Sequence, residues 1–410
     1  MNQKMLEKYA DVLVKVGVNV QEGDSIQLHS DTESLPLARE IVRLCWRYGA
    51  KNVITKISDN DMALAKYDEA KEESLGFFPS FEADYCEAML KEKYHRIFIS
   101  SPSLDLFADV DQKKIETVQR AALVATQHLD KYMDAGDIKW VVGACPTVRW
   151  AKELFPELSE DEALQKLWDT VFKICRVDAK DPVAAWKAHD EVLKLREKWL
   201  DEQSFAYLRY EGPGTDLTVY LADQHKWIGG SSDTPDGISY MANIPTEELF
   251  TTPHALKVDG TVRSTKPLSV MGKIVEDFGF TFKDGVVVDY EAKKNKEVLD
   301  ALLGIDEGAK RLGEVALVPD SSPVSRSEIL FKTTLYDENA SCHFALGSAY
   351  AEAVKDGAKL TEEQRIALGS NKSMIHIDFM VGGPELDITG VKKDGTKVPV
   401  LSAGEWAFTV

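Results

Sequence analysis

A chain of 410 residues, 44% hydrophobic and 29% charged, is long enough for two or three domains and can bury a large core without disulfides. Its formal net charge of −19 excludes nucleic acid as the main partner, because phosphate binding needs a basic patch. The N-terminus lacks an apolar signal core, no apolar run reaches membrane-spanning length, and five scattered cysteines form no Cys-x-x-Cys pair. A cytoplasmic protein with reduced thiols and no membrane association is therefore expected.

The first half alternates helix and strand patterns. Met5, Tyr9, Leu13 and Val16 fall on one face of a helix over 2–17. Asp24–His29 and Lys51–Ile57 read as strands, separated by a helix over 33–49 that Gly49 closes. His95–Ser100 and Lys139–Gly143 read as third and fourth strands, again with helix patterns between them. Strands separated by helices imply parallel pairing, so a Rossmann-like layered α/β domain is expected. Helices continue from about 147 to 202, most clearly over Asp161–Cys175 and Pro182–Leu200.

The texture changes after about residue 205. Ala206–Glu211 and Thr215–Leu221 alternate around Gly212-Pro213-Gly214. Phe280–Tyr290 carries Asp284-Gly285 at its centre, a hairpin signal, and Lys393–Leu401 reads as another. The expected organisation is thus an N-terminal α/β domain with a helical extension over 1–205, and an α+β, β-rich domain over 206–410.

Several signatures are absent: Gly-x-Gly-x-x-Gly, the Walker A loop, His-Glu-x-x-His and Gly-x-Ser-x-Gly. Their absence weakens the dehydrogenase, NTPase, zincin and α/β-hydrolase readings. What remains is a set of acids and histidines in the second half. In Met374–Met380 the period of two puts His376 and Asp378 on one strand face, well placed to hold a metal; the alternative is an exposed polar face. Asp337–Tyr350 reads as a helix opened by Asp337 or Asn339, with His343, Gly347 and Tyr350 on one face beside small residues; a lone His and Tyr on a helix are otherwise core or surface groups. Glu314 enters an apolar strand, costly unless paired or metal-bound, or else reaching solvent. Glu247 and Glu248 sit in a Pro-bounded segment that also reads as a helix start capped by Thr246.

At these four segments the chain closely resembles the aminopeptidase T family of metallo-aminopeptidases, in which aminopeptidase S and PepS are included. The resemblance runs nearly end to end, from Tyr9–Gly17 through Gly214–Val219. It is densest in Ala242–Glu248, Arg311–Pro319, Asp337–Ala340 and His376–Asp378. It implies that Glu248, Glu314, His343, His376 and Asp378 bind two divalent ions, with Glu338 as a further ligand. Glu248 rather than Glu247 occupies the family's second Glu, and Tyr350 matches its active-site tyrosine. It also implies a two-domain subunit, a homodimer, and removal of one residue at a time from peptides with a free N-terminus. Zinc or cobalt are the usual metals, with manganese or magnesium as alternatives.

The chemistry is coherent. Four carboxylates balance two dications, whereas the empty cluster would self-repel and take up protons. Zinc and cobalt accept mixed carboxylate and imidazole ligands, and two such ions can activate a water for attack on a peptide carbonyl. Glu314 then serves as bridging ligand or general base, and Tyr350 as hydrogen-bond donor to the oxyanion. Two alternatives stay open: another dinuclear metallohydrolase, acting on amides or phosphoesters, and a non-enzymatic ligand-binding protein.

Overall fold

The computed structural model describes residues 2–102, 105–107, 109–270 and 273–410. The chain divides into two compact units, Met1–Lys187 with Ser231–Pro245, and Ala188–Gly230 with Thr246–Val410. The long helix Pro182–Gln203 therefore contributes residues to both units.

The first unit is built on four parallel strands, β1 (Ser25–Asp31), β2 (Asn52–Ser58), β3 (His95–Ser100) and β4 (Trp140–Ala144), in the order β2-β1-β3-β4. Each was visible as a short apolar run ending in a helix pattern. Parallel neighbours need a crossover, and the helices Leu35–Arg47, Ser80–Lys91 and Gln112–Thr126 lie in those connections. The first helix, Gln3–Val12, is capped by the Asn2 side chain and continues through a wider turn over Leu13–Gly17. It packs close to β4. A Cβ on Gly17 would sit 2.6 Å from Val141 Cγ2, one on Gly143 would sit 2.6 Å from Leu13 Cδ2, and Tyr9 donates to the Ala144 carbonyl at 2.9 Å. Glu160–Ile174 opens on a capping box between Ser159 and Glu162.

The second unit holds two antiparallel sheets. Among the described residues the larger has nine strands, including Phe205–Gly212, Thr215–Leu221, Pro253–Arg263, Asp387–Lys392 and Lys397–Ser402. Its Lys273–Lys283 and Val286–Lys294 hairpin turns at Asp284-Gly285, where φ is 50° and 78°, the positive values that this two-residue turn requires. Aromatic residues Phe278, Phe280, Phe344 and Phe379 pack in its core.

The smaller sheet has five strands in the order His376–Met380, His343–Gly347, Leu312–Leu317, Leu249–Thr251, Ile228–Gly229. Every residue of Leu312–Leu317 and of His343–Gly347 is buried, which explains why the Glu314 segment reads as an apolar run rather than an alternating one. One sequence expectation is corrected here. Asp337–Tyr350 is not a helix: a short turn over Thr334–Asp337 and a tighter one over Glu338–Ala340 lead into the strand His343–Gly347. The spacing of His343, Gly347 and Tyr350 imitates a helical face. Strand partners on both edges and Gly347 at φ 110°, outside the helical region, decide against it. Among the described residues no helix is long and apolar enough to cross a membrane.

Candidate metal centre

Side chains directly opposite in antiparallel strands share a face. Glu314 pairs with Ala345, Ala345 with Asp378, and Gly347 with His376. His343, two residues before Ala345, shares that face by the strand's period of two. Three adjacent strands thus aim Glu314, His343, His376 and Asp378 to one side, over a floor formed by Ala345 and Gly347. A Cβ on Gly347 would meet the Ile375 carbonyl oxygen at 2.0 Å.

Two acids join them from irregular segments. Glu248 directly precedes the strand Leu249–Thr251, and Glu338 opens the tight turn before Ser341. Thr246 does not cap a helix; the segment is irregular and contains a cis Ile244–Pro245 bond. Glu248, Glu314, Glu338 and His343 are all at least nine-tenths buried.

The ligand atoms form two groups. Glu248, Glu314 and His343 each offer one atom within 4.8 Å of the others, and so do Glu314, His376 and Asp378. Glu314 belongs to both. His343 Nε2 lies 3.2 Å from Glu248 Oε2, and His376 Nε2 lies 2.9 Å from Glu314 Oε2 and 3.3 Å from Asp378 Oδ1. On their other side the rings are fixed by main-chain carbonyls: His343 Nδ1 to Ser341 O at 3.0 Å, and His376 Nδ1 to Ser348 O at 2.7 Å. A carbonyl only accepts, so each Nδ1 carries a proton and each Nε2 is turned inward, the arrangement typical of metal-bound imidazole. Asp378 Oδ1 is buried and accepts no hydrogen bond. Carboxylate oxygens and imidazole Nε2 atoms turned to one face suit dications of borderline character.

The electrostatics of the metal-free cluster point the same way. At an effective dielectric of 20, two like charges about 4 Å apart repel by about 4 kcal/mol. Burial, then Glu248 and Asp378, push the Glu338 carboxyl well above its usual range. Burial also raises Glu314, against the lowering effect of His376. Burial by itself would lower both histidines. The Glu248 carboxylate overrides it at His343, to about 10, and Asp378 with Glu314 override it at His376, to about 11. Raised imidazole values mean that these pairs stabilise the metal-free fold fully below the unfolded value near 6.5, and that this stability is lost as pH rises through about 10 to 11.

A pH dependence of metal uptake follows. At pH 7 both metal-free imidazoles hold a proton that must leave before Nε2 can bind a cation. Metal binding should release about two protons from them, and the affinity should fall by up to about 100-fold for each unit that the pH drops below neutral. Titration calorimetry in buffers of different ionisation enthalpy measures the release. Zero proton release would remove the imidazoles from the ligand set.

Tyr350 follows the His343 strand and is 47% exposed. Its ring lies 4.7 Å from that of His376 and 5.7 Å from that of Phe250. Loss of solvent, then the carboxylates Glu314 and Asp378, hold its phenol well above the ordinary range, so it keeps its proton as a donor. Of the residues singled out from the sequence, Glu248, Glu314, His343, His376 and Asp378 fall in the two groups, and Tyr350 packs on His376. Glu338 is in neither group, though burial, then Glu248 and Asp378, raise its pKa, and the Glu247 carboxylate turns to His189 at 3.5 Å. The sequence reading missed Asn339 as a contact of these acids. No local pattern signalled it, because its contact to Glu247 spans 92 positions of the chain.

Comparison with known proteins places this geometry. The family model described as thermophilic metalloprotease (M29) matches residues 2–406. Aminopeptidase 2 of Geobacillus stearothermophilus is 42% identical over 99% of this chain and 98% of its own length. Aminopeptidase T of Thermus aquaticus is 38% identical over 98% of both. Among solved structures, wild-type AmpT from Thermus thermophilus superimposes with a TM-score of 0.93 at 34% identity, over 98% of this chain and 99% of that one. A match this long, in sequence and in fold, leaves no part of the carboxylate–imidazole sheet outside it, and the chain belongs to the thermophilic metalloprotease (M29) family.

Proposed function

We propose that this protein is a two-metal aminopeptidase, which removes the N-terminal residue of peptides at the centre on the five-stranded sheet. The observation that carries the reading is the pair of ligand groups sharing Glu314, in a chain whose relatives are named aminopeptidases. Glu248, Glu314, Glu338, His343, His376 and Asp378 would hold two divalent ions, zinc or cobalt, with manganese or magnesium as alternatives. When bound, the ions polarise the scissile carbonyl and make water a stronger acid. Glu314, at the junction of both groups, accepts the proton of the attacking water and returns it to the leaving nitrogen. Tyr350 donates a hydrogen bond to the developing oxyanion. The substrate's free amine would ligate an ion or meet an acidic side chain of the cluster, which would place the first peptide bond at the centre.

The four parallel strands in the order β2-β1-β3-β4 support the Rossmann-like description of the N-terminal part. The functional division expected at 1–205 and 206–410 differs from the compact units, which place Ser231–Pro245 in the first and Ala188–Gly230 in the second, but every assigned ligand lies in the second part under either division. The five cysteines, four of them buried, form no disulfide with one another, which supports a cytoplasmic location. The likeness to the aminopeptidase T family supports a homodimer.

The test is metal content together with turnover of a panel of aminoacyl substrates. Exhaustive chelation should abolish hydrolysis, and zinc or cobalt should restore it. Full activity in a demonstrably metal-free preparation would sink the proposal. Tyr350→Phe separates chemistry from metal binding: it should keep both ions and most substrate affinity while kcat falls about 100-fold, as for loss of an oxyanion donor. Turnover at the wild-type rate would remove Tyr350 from the mechanism.

A further inference from the structure

The six acids and histidines assigned above are held in two different ways. Four stand on paired strands, where the register fixes them. Glu248 and Glu338 stand on irregular segments, which have no ladder to hold them. A buried side chain joins these two segments. Asn339 is 0% exposed. Its Oδ1 accepts from the Glu247 main-chain N–H at 2.6 Å, and its Nδ2 donates to Glu338 Oε1 at 3.3 Å and to the Leu335 carbonyl at 2.9 Å. Its own carbonyl accepts from Ser322 Oγ at 2.8 Å.

We propose that Asn339 is the positioning residue of the metal centre, and that its amide ties the backbone at Glu247, next to Glu248, to the Glu338 carboxylate so that both off-sheet acids meet the ions borne by the sheet. The inference rests on the two-metal reading. It is argued from the chemistry of the amide. Only a carboxamide offers an acceptor for the Glu247 N–H and donors for Glu338 and Leu335 at the same time. The donor to Glu338 Oε1 occupies one carboxylate oxygen and leaves the other for a cation. The acceptor at Glu247 holds the Thr246–Glu247 peptide, the one immediately before the peptide that leads into Glu248. A buried amide with these bonds resists rotation, since any turn strands a polar group in the core. Partners of this kind are worth about 10–100-fold in metal affinity elsewhere.

Ser322 supplies the control. Ser322→Ala removes a bond to the same residue but leaves the amide and its contacts to both acids in place. Zinc binding to full-length, metal-stripped protein would be measured by calorimetry against a competing chelator, with thermal unfolding of the same samples. Asn339→Ala is expected to weaken zinc at least 10-fold, with kcat recovering as zinc is raised to saturation. Ser322→Ala should lower the melting temperature yet keep zinc affinity within about twofold of wild type. Should Asn339→Ala fail to fold, Asn339→Asp keeps the volume and the acceptor for Glu247 while setting a carboxylate against Glu338, and should weaken zinc at least as much. Wild-type zinc affinity in a folded Asn339 variant would overturn the proposal while leaving the metalloenzyme reading intact. Equal weakening by Ser322→Ala would overturn it too, by showing a merely structural role. A wild-type protein that binds no zinc would remove the metalloenzyme reading and this proposal with it.

Discussion

Glu314→Gln should lower kcat/KM by a factor of about 1,000 or more, equivalent to about 4 kcal/mol of transition-state stabilisation, with the fold intact. The substitution keeps the volume and one carbonyl oxygen but removes the charge from the one residue common to both ligand groups. Glutamine also cannot carry the proton that the proposed mechanism assigns to Glu314. Loss of the negative charge leaves His376 with Asp378 as its neighbouring anion, so metal content should fall together with turnover. The fold should tolerate the change, because a buried carboxylate already pushed up in pKa gives way to a neutral amide. Kinetics and metal analysis on the same preparation decide the matter. A variant with both ions bound and more than a tenth of wild-type activity would displace Glu314 from the centre of the mechanism.

Acetylating the substrate should have an equally large effect. Short unblocked peptides should lose their first residue, then their second, while acetylated copies of the same sequence survive. Acetylation removes the positive charge that the acidic cluster receives and ties up the nitrogen lone pair. The cluster has use for one such amine per substrate, so release should run stepwise from that end. Mass spectrometry of a timed digest reads the order directly. Cleavage inside an acetylated peptide, at a rate comparable to its free counterpart, would mark an endopeptidase and end the aminopeptidase assignment.

The sequence was most informative where local pattern and tertiary structure agree. The four parallel strands of the first unit were visible because each is a short apolar run followed by a helix pattern. The turn at Asp284-Gly285 was visible because its backbone angles demand those residues. His376 and Asp378 were legible as a pair, since alternation along a strand is a local property. His343 was named as a ligand through the resemblance, yet its setting was misread as helical. Alanine, glycine and serine are common to slim helices and to crowded central strands, and only the flanking strands distinguish the two. Glu248 and Glu338 lie on irregular segments, where no periodicity exists to read. Asn339 was hidden for a deeper reason: its partners include Glu247, 92 positions away in the chain, and a contact of that span leaves no local trace.

The floor of the metal centre has an evolutionary meaning. At Gly347 every replacement is larger, and at Ala345 every replacement except glycine is. Apart from Ala345→Gly, change at these two positions therefore subtracts room, and the neighbouring acids cannot retreat to give it back, because carboxylates come in just two lengths. A lineage that duplicated this gene would find the chemistry resistant to drift. Phe250, which stands beside Tyr350 over the same face, has no such restriction from below and no part in the chemistry. Divergence in what the enzyme accepts should accumulate at such positions, leaving the small residues of the central strand as the part that descendants inherit unaltered.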